Sequence, residues 1–508
     1  MARSAQKIWL GIDVGTSGLK ALAVNESGKV AASSLVEYGM KTPKPGWAEQ
    51  DPKQWWAALK KALALLKKKI PSLPDALSGI GLTGQMHSSV FLDQNCRVLR
   101  PAILWCDQRP ARECEQLTAK LGFDRLVSLT LNRALTGFTL PKLLWLKNHE
   151  PENYEKLRHL LVCKDYLRFR LTNEFATEVS DASGTLMFDV KNRAWSRELL
   201  NELEIDPAIL PRCYESPEIT GQLAKSAADE LGLKPGAPRV SVVGGGGDQA
   251  AGAIGNGIVE QGAALISVGT SGVIFAAHEK PLFDQKARLH SFCHAAPRLW
   301  HSMGVMLSAG GSLRWLREIL RELKPGIDYP QMTRLAQKSP EGADSLFFLP
   351  YLTGERTPHF DPYARGVFFG ISLKTDLGRL SRAVLEGVSF GLKDSVEIMK
   401  QCNVSIEKFY LSGGGAKSKF WSQLLADLLQ ARICRLKVDE GPAFGAALLA
   451  MVGTKNFPDV QTAARQTLKL RDSFDPNPKT SARYQDLYQF WKTLYPAISD
   501  QFKQLAES

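Results

Sequence analysis

Two short segments of this chain place glycines beside hydroxyl side chains in a pattern that suits phosphate binding. The segment Ile12-Asp-Val-Gly-Thr-Ser-Gly18 returns, half a chain length later, as Ile266-Ser-Val-Gly-Thr-Ser-Gly272. Each is an apolar run that ends in Gly-Thr-Ser-Gly, which predicts a strand, a tight turn and a second strand. Backbone N–H groups of two such turns would hold the phosphates of one nucleotide from both sides. The candidate phosphate contacts are Thr16, Ser17, Gly269, Thr270 and Ser271.

The two segments differ at one position that matters for chemistry. Asp13 in the first segment is replaced by Ser267 in the second. Because Mg²⁺ prefers carboxylate oxygens, only the first turn offers an anionic group to a metal that arrives with a nucleotide. We therefore predict two halves of similar shape and different chemistry, with Asp13 serving Mg²⁺. Two unrelated Gly-Thr-Ser hairpins are the alternative that a repeat this short leaves open.

Asp248 is the candidate for proton transfer. It follows the apolar run 240–243 and the four glycines 244–247, at the predicted start of a helix between the two halves. A carboxylate there is placed to accept a proton from a hydroxyl that attacks a nucleotide phosphate. Asp is also favoured as a helix N-cap, and the two roles are compatible. Four consecutive glycines between a strand and a helix also predict a hinge.

A second group of candidates follows a predicted strand over residues 80–84. That strand ends at Gln85-Met86-His87, and open α/β sheets bind ligands where their strands end. We expect His87 to donate a hydrogen bond to a hydroxyl of the ligand, while a buried core histidine is the alternative interpretation.

Two further glycine turns stand where a strand gives way to a helix. Gly310-Gly311-Ser312 leads into an apolar helix, and Gly413-Gly414-Gly415 separates a strand from the helix predicted over 420–429. Turns of this kind admit a flat ligand against the backbone. The candidate nucleotide contacts in them are Gly310, Gly414, Gly415 and Ser418.

Length and composition limit the function classes. A chain of 508 residues is long enough for two domains with full cores. The net charge of +12 comes from 64 basic and 52 acidic residues spread along the chain, so we predict no nucleic-acid partner. Eight cysteines without a C-x-x-C pair are typical of reduced thiols in the cytoplasm. No apolar run approaches 18 residues, which argues against a membrane partner.

Taken together, the motifs resemble those of the FGGY carbohydrate kinases, in the superfamily of sugar kinases, actin and Hsp70. The resemblance covers nearly the whole chain and is greatest to the xylulose-phosphorylating members. Its marks beside the first phosphate turn are Gly84-Gln-Met-His87, Pro101-Ala-Ile-Leu-Trp105, Gly137-Phe-Thr-Leu-Pro-Lys-Leu-Leu-Trp-Leu146, Lys164-Asp-Tyr-Leu167, Gly245-Gly-Gly-Asp-Gln-Ala-Ala-Gly252, Phe348-Leu-Pro-Tyr351, Gly354-Glu-Arg-Thr-Pro-His359 and Arg382-Ala-Val-Leu-Glu-Gly387.

The resemblance implies an α/β fold of two actin-like (ribonuclease H-like) domains with a nucleotide and sugar cleft between them. The expected domains are 1–247, which binds the sugar and carries the first phosphate turn, and 248–508, which binds ATP. A final helix over 481–505 is expected to pack back on the first domain.

The resemblance also implies roles for individual residues. Asp248 is the expected base, and Asp13 serves the Mg²⁺-nucleotide. The expected sugar contacts are Gln85, Met86, His87, Trp105, Asp107 and Gln249. The expected activity is ATP-dependent phosphorylation of a pentulose, D-xylulose at its 5-hydroxyl, in a cytoplasmic protein that forms a homodimer.

Three positions depart from the pattern of these relatives. Gln249 and Cys106 stand where many of them have Asn, and Arg379 stands where the second family signature has His or an acidic or amide residue. The first two lie near the expected sugar pocket, so another FGGY kinase acting on D-ribulose or a polyol is the first rival. A nonenzymatic nucleotide switch of the actin or chaperone type is the second, and it would need no sugar pocket.

Overall fold

The computed structural model describes residues 7–233, 240–437 and 440–507. In the first half, the strands are β1 (Ile8–Val14), β2 (Gly18–Asn25), β3 (Val30–Glu37), β4 (Glu49–Gln50), β5 (Leu77–Gly84), β6 (Ser89–Leu92), β7 (Ala102–Ile103), β8 (His159–Val162), β9 (Ala176–Glu178), β10 (Phe188–Asp189), β11 (Ala194–Trp195), β12 (Arg212–Tyr214), β13 (Ile219–Gln222), β14 (Ser241–Val243) and β15 (Gly246–Gly247). The helices there are α1 (Pro52–Lys69), α2 (Leu73–Ala76), α3 (Ala111–Leu121), α4 (Phe123–Thr130), α5 (Thr139–His149), α6 (Pro151–Lys156), α7 (Cys163–Thr172), α8 (Val179–Ser183), α9 (Arg197–Glu202) and α10 (Lys225–Leu231), with a 3₁₀ turn at Pro207–Ile209.

The second half begins with a helix. Its helices are α11 (Asp248–Gly255), α12 (Gly310–Leu323), α13 (Tyr329–Lys338), α14 (Leu377–Gln401), α15 (Lys419–Leu429), α16 (Pro442–Gly453), α17 (Val460–Thr467) and α18 (Pro478–Glu507), with a 3₁₀ turn at Gly414–Lys417. Its strands are β16 (Gly262–Val268), β17 (Gly272–His278), β18 (His290–Cys293), β19 (Trp300–Met306), β20 (Phe347–Leu349), β21 (Val367–Phe369), β22 (Ile406–Gly413), β23 (Arg432–Leu436) and β24 (Leu470–Phe474).

The two largest sheets share one strand plan. In the first sheet the order is β13-β14-β5-β1-β2-β3, with β15 also paired to β5, and in the second it is β18-β19-β17-β16-β22-β23-β24. In the first sheet β1, which precedes the Gly-Thr-Ser turn, pairs antiparallel with β2 and parallel with β5. In the second sheet β16 pairs in the same way, antiparallel with β17 and parallel with β22. The structure therefore confirms the predicted internal repeat and the duplicated actin-like α/β fold.

Helix α16 belongs to the second half of the chain but packs on the sheet of the first. Its residues 443–452 are all buried, which fits its almost wholly apolar sequence. A Cβ atom on Gly11 of β1 would overlap the carbonyl oxygen of Ala443, and one on Gly81 of β5 would overlap that of Ala446. On its other side, a Cβ atom on Gly445 would overlap Ala251 O of α11. Glycines thus let α16 lie in backbone contact with both the first sheet and α11.

The final helix packs elsewhere than expected. Tyr484 of α18 donates to Glu386 of α14 (2.8 Å), and Trp491 donates to the carbonyl oxygen of Phe348 (2.9 Å). These partners belong to the second half of the chain. The expectation that the final helix packs on the first domain is therefore wrong, and α16 makes that contact instead.

The glycines 244–247 are packed rather than open. Gly246 and Gly247 form β15 and pair with the end of β5. Gly245 has φ +79°, and a Cβ atom on it would overlap the carbonyl oxygen of Leu82. All four are buried, and Gly245 permits close approach of backbone to backbone, while the hinge predicted from the sequence stays a prediction. The domain boundary between residues 247 and 248 stays a prediction.

Within the described residues, no helix has the length and apolar content that a membrane span requires.

We predict that Gly11→Ala destabilises the protein by about 3 kcal/mol or more, because the added methyl group meets backbone that cannot rotate away. The matched control is Gly39→Ala, since a Cβ atom there meets nothing within 4 Å. The control is expected to change stability by no more than about 0.5 kcal/mol. Thermal unfolding of both variants checks this prediction, and equal midpoints for the two would show that α16 can yield at this contact.

Candidate functional site

Two cavities meet at one turn of the second half. The larger has a volume of about 610 Å³ and is lined by residues of the second half alone. The smaller has a volume of about 150 Å³ and is lined by residues of both halves. Gly269 and Thr270 line the larger cavity, and the next residue, Ser271, lines the smaller one. A ligand in one cavity therefore lies directly across this turn from a ligand in the other.

The larger cavity gathers most of the residues predicted to bind a nucleotide. Its lining includes the predicted contacts Gly269, Thr270, Gly310, Gly414, Gly415 and Ser418. Ser418 has a structural task as well, because its hydroxyl accepts a hydrogen bond from Trp421 N (3.1 Å) as the N-cap of α15. Tyr329, Phe420 and Trp421 add aromatic surface to the lining, which suits a flat heterocycle.

Helix α12 begins against the second phosphate turn. Gly310 N donates to Gly269 O (2.9 Å), and Gly311 N donates to Thr270 O (3.0 Å). A Cβ atom on Gly310 would overlap Gly269 O, so glycine is required for this approach. These bonds hold the carbonyl groups of the turn on the helix, and α12 places the positive end of its dipole beside the turn.

The first phosphate turn is built differently. Four residues separate the paired residues Val14 and Leu19, whereas three separate Val268 and Gly272. The Thr16 hydroxyl donates to Gln85 Oε1 (3.2 Å) and accepts from Trp105 Nε1 (3.0 Å). Within the described part of the chain, Thr16 and Ser17 line neither cavity. Their predicted contact with phosphate stays a prediction, and the hydroxyl of Thr16 already has protein partners.

The smaller cavity combines polar groups with aromatic walls. Its lining comprises Met86, His87, Trp105, Leu135, Gly137, Phe138, Asp248, Gln249, Ser271, Val273, His290, Met303, Val305 and Arg356. The sequence had predicted five of these as site residues of the sugar or of proton transfer: Met86, His87, Trp105, Asp248 and Gln249. His290 and Arg356 were not predicted from the sequence, although Arg356 lies within the segment 354–359 that resembles the family.

Gln85 and Asp107 were predicted to contact the sugar, and the structure corrects both assignments. Gln85 is 2% exposed, and its amide donates to Gln50 Oε1 (2.8 Å) while accepting from Thr16. Asp107 is fully buried, where its carboxylate accepts from Ala48 N (2.6 Å) and pairs with Arg109 (2.8 Å). Both side chains are occupied by protein groups behind the cavity wall, so they hold the wall in place.

His87 turns its ring toward the cavity through an unusual backbone conformation. Its φ of +65° lies in the left-handed region, three residues after the end of β5. The ring Nδ1 lies 2.7 Å from the carbonyl oxygen of Gly184, which only a protonated Nδ1 can satisfy. Burial and the charge of Lys142 hold the pKa of His87 well below its usual range, so the ring is neutral. Nε2 is then an acceptor, and the expectation that His87 donates to the ligand is wrong.

Lys142 supports this part of the cavity from behind. Its ammonium group is fully buried in α5 and donates to the carbonyl oxygens of His87 (2.9 Å) and Gly137 (2.6 Å). Burial lowers the pKa of Lys142 to about 7. Both carbonyl groups belong to residues that line the cavity, so one lysine fixes two segments of the wall.

Asp248 and Asp13 are two carboxylates in one electrostatic environment. Burial raises the pKa of Asp248 to about 6, and hydrogen bonds from Gln249 limit the rise. Burial and the nearby charge of Asp248 raise the pKa of Asp13 to about 7, although Lys20 opposes this. The N-cap of α11 is Gly247, so the N-cap interpretation of Asp248 is wrong. Asp248 is instead the first helical residue, with its carboxyl group on the cavity.

A duplicated fold, a nucleotide-sized cavity and a small polar cavity that share one turn define a phosphotransferase with two substrates. The chain belongs to the FGGY family of carbohydrate kinases: residues 8–255 match the N-terminal domain of that family, and residues 264–454 match its C-terminal domain.

Individual relatives are similar over almost their full length. The xylulose kinase of Escherichia coli K12 is 42% identical over 493 residues, which cover 97% of this chain and 99% of that protein. A crystal structure of a "xyloylose kinase" from Brucella ovis superposes with a TM-score of 0.91 at 37% identity, covering 97% of this chain and all of the other. A gluconate kinase from Lactobacillus acidophilus reaches 0.92 at 27% identity, covering 98% and 100%. The fold alone therefore does not choose the sugar.

We predict that His87 stays neutral across the pH range in which a free imidazole gains a proton, with its own proton on Nδ1, because burial and Lys142 disfavour the imidazolium ion. ¹⁵N NMR of protein labelled at its eight histidines checks this, with His87→Asn to assign the resonance. A His87 ring that gains a proton above pH 6 would contradict the assignment of Nε2 as an acceptor.

Proposed function

We propose that this chain transfers the γ-phosphoryl group of ATP to the 5-hydroxyl of D-xylulose. The observation that carries the proposal is the position of Asp248, which lines a cavity of about 150 Å³ across the Gly269–Ser271 turn from the nucleotide-sized cavity. A space of that size suits one small sugar. The 42% identity to a xylulose kinase over nearly the whole chain supports the choice of sugar.

In this mechanism the protein mainly positions groups and stabilises charge. Asp248 accepts the proton of the 5-hydroxyl, the sugar oxygen forms a bond to the γ-phosphorus, and the bond to the β,γ-bridging oxygen breaks to release ADP. A raised pKa suits Asp248 to this task, because a stronger base takes the proton more readily while staying ionised near neutral pH. The aromatic walls of the small cavity, Trp105 and Phe138, help to exclude water that would otherwise accept the phosphoryl group.

The residues around Asp13 fit a divalent cation that arrives with ATP. Asp13 Oδ1 is buried and has no hydrogen-bond partner among the described residues. A cation there would also relieve the repulsion between Asp13 and Asp248. Among the described residues, no group of three or more acidic, histidine or cysteine side chains is arranged to hold a metal, so the phosphates would supply the other ligands. When bound, Mg²⁺ neutralises charge on the transferring phosphoryl group.

The small cavity helps to distinguish the proposed function from its rivals. A nucleotide switch without enzymatic activity needs no such cavity beside the phosphate turn, and membership of a carbohydrate kinase family argues against it. D-ribulose or a polyol is the closer rival, because Gln249, where the sequence departs from the expected family pattern, lines the cavity. A homodimer and a cytoplasmic location stay predictions from the sequence.

We predict that D-xylulose gives the highest kcat/KM in a panel with D-ribulose, hexuloses and polyols, measured by coupled ADP release. Asp248→Asn should lower kcat at least about 10²-fold with ATP still bound, since the base is removed and the shape retained.

In the wild type, kcat/KM should fall as pH drops through about 6, because protonated Asp248 cannot accept a proton. Preference for D-ribulose would favour the rival kinase, and near-normal turnover of Asp248→Asn would remove its role as base.

We predict a large fall in kcat and a shifted Mg²⁺ dependence for Asp13→Asn, because this nearly isosteric change removes the anionic ligand while the fold is kept. Ser267→Ala is the matched control, since Ser267 holds the corresponding place on β16 and offers no charge. Turnover across a range of Mg²⁺ concentrations, with thermal melting of both variants, makes the comparison. Equal damage from the two substitutions in folded protein would overturn the assignment of the metal to the first turn.

A further inference from the structure

The positively charged side chain of Arg356 lines the small cavity without a hydrogen-bonding partner among the described residues. It lines the cavity, and within the described residues its guanidinium group forms no hydrogen bond, ion pair or aromatic contact. The neighbouring Glu355 attracts its charge, but no hydrogen bond or ion pair joins the two side chains within the described residues. Glu355 Oε1 accepts from the backbone N–H groups of Leu307 (2.9 Å) and Arg356 (2.7 Å). Arg356 is partly buried and burial lowers the pKa of its guanidinium group, so an acceptor on a ligand would stabilise the charge.

The positive charge of Arg356 lowers the pKa of the two histidines that line the cavity. Burial lowers the pKa of His290 to about 3, and the charge of Arg356 contributes to that shift. Burial, Lys142 and, more weakly, Arg356 also lower the pKa of His87. Both histidines line the same cavity as Arg356.

The polar groups of the cavity are unequal in what they offer a sugar. Asp248 can only accept when ionised, and Nε2 of His87 is an acceptor because Nδ1 already donates to Gly184. Gln249 and Ser271 carry both donors and acceptors. In the described lining, Arg356 is the one cationic group, and a guanidinium group donates without ever accepting.

A ketose differs from its polyol at a single oxygen. The C2 hydroxyl of a polyol both donates and accepts, whereas the C2 carbonyl oxygen of a ketose only accepts. Against His87 Nε2 or Asp248 a carbonyl oxygen would meet another lone pair, so it needs a donor. Resting on the proposed function, we propose that Arg356 donates to the carbonyl oxygen of the sugar and thereby selects ketoses over polyols.

This role predicts a change in specificity rather than a general loss. Removing the guanidinium group leaves a buried carbonyl oxygen without its donor, which costs the ketose at least about tenfold in kcat/KM. The polyol loses less, because its C2 hydroxyl can still donate its proton to an acceptor such as Nε2 of His87. The ratio between ketose and polyol therefore falls.

The experiment compares wild type, Arg356→Met and Arg356→Lys. D-Xylulose is the substrate, and D-arabinitol and xylitol, the two products of its reduction at C2, are tested as competitive inhibitors. In Arg356→Met we expect the KM for D-xylulose to rise at least about tenfold, while each polyol Ki changes less than about threefold. Arg356→Lys keeps a cationic donor and should recover part of the ketose affinity. Isothermal titration with ATP and thermal melting confirm that each variant is folded and binds nucleotide.

The outcomes separate this inference from the proposed function. A wild type that prefers another ketose overturns the choice of D-xylulose, and the same comparison is then made with that ketose and its polyol. An unchanged KM for the ketose in Arg356→Met, or an equal loss for ketose and polyols, overturns the role of Arg356 even if the kinase activity stands. If Arg356→Met fails to fold, Arg356→Lys decides: a guanidinium-specific contact requires a measurable rise in the ketose KM without a change in the polyol Ki.

Discussion

The backbone contacts of α16 with glycines of β1, β5 and α11 constrain the rest of this structure. β1 carries Asp13 near its end, and α11 begins with Asp248. Because α16 lies against both elements where a Cβ atom would overlap backbone, the distance between the two carboxylates is set by main chain rather than by adaptable side chains. A helix from late in the sequence thus holds together two groups that are far apart in the chain.

Much of the fold could be predicted because its signals are local. The strand, turn and strand pattern around Gly15 and Gly269 depends on apolar runs and glycine, so both copies were found without knowledge of the partner strands. The start of α11 at Asp248 followed from small residues after a glycine run. The duplication of the sheets then followed from the repeat itself.

The remainder depended on contacts that no local pattern contains. Gln85 and Met86 are adjacent, yet Gln85 bonds to Gln50 behind the wall and Met86 lines the cavity. Arg356 reaches the cavity from a loop in the other half of the chain. The partner of α18 is likewise a matter of tertiary packing, so the sequence predicted the helix and not the surface that it covers.

The turn at Gly269–Ser271 also has a thermodynamic consequence. Three residues form a wall common to two binding sites, and the carbonyl groups of two of them, Gly269 and Thr270, accept hydrogen bonds from the start of α12. If one ligand displaces this wall, it changes the shape of the cavity that holds the other ligand. The affinities for the two ligands are therefore coupled. By linkage, if the first ligand changes the affinity for the second by some factor, the second changes the affinity for the first by the same factor. This holds for either order of binding.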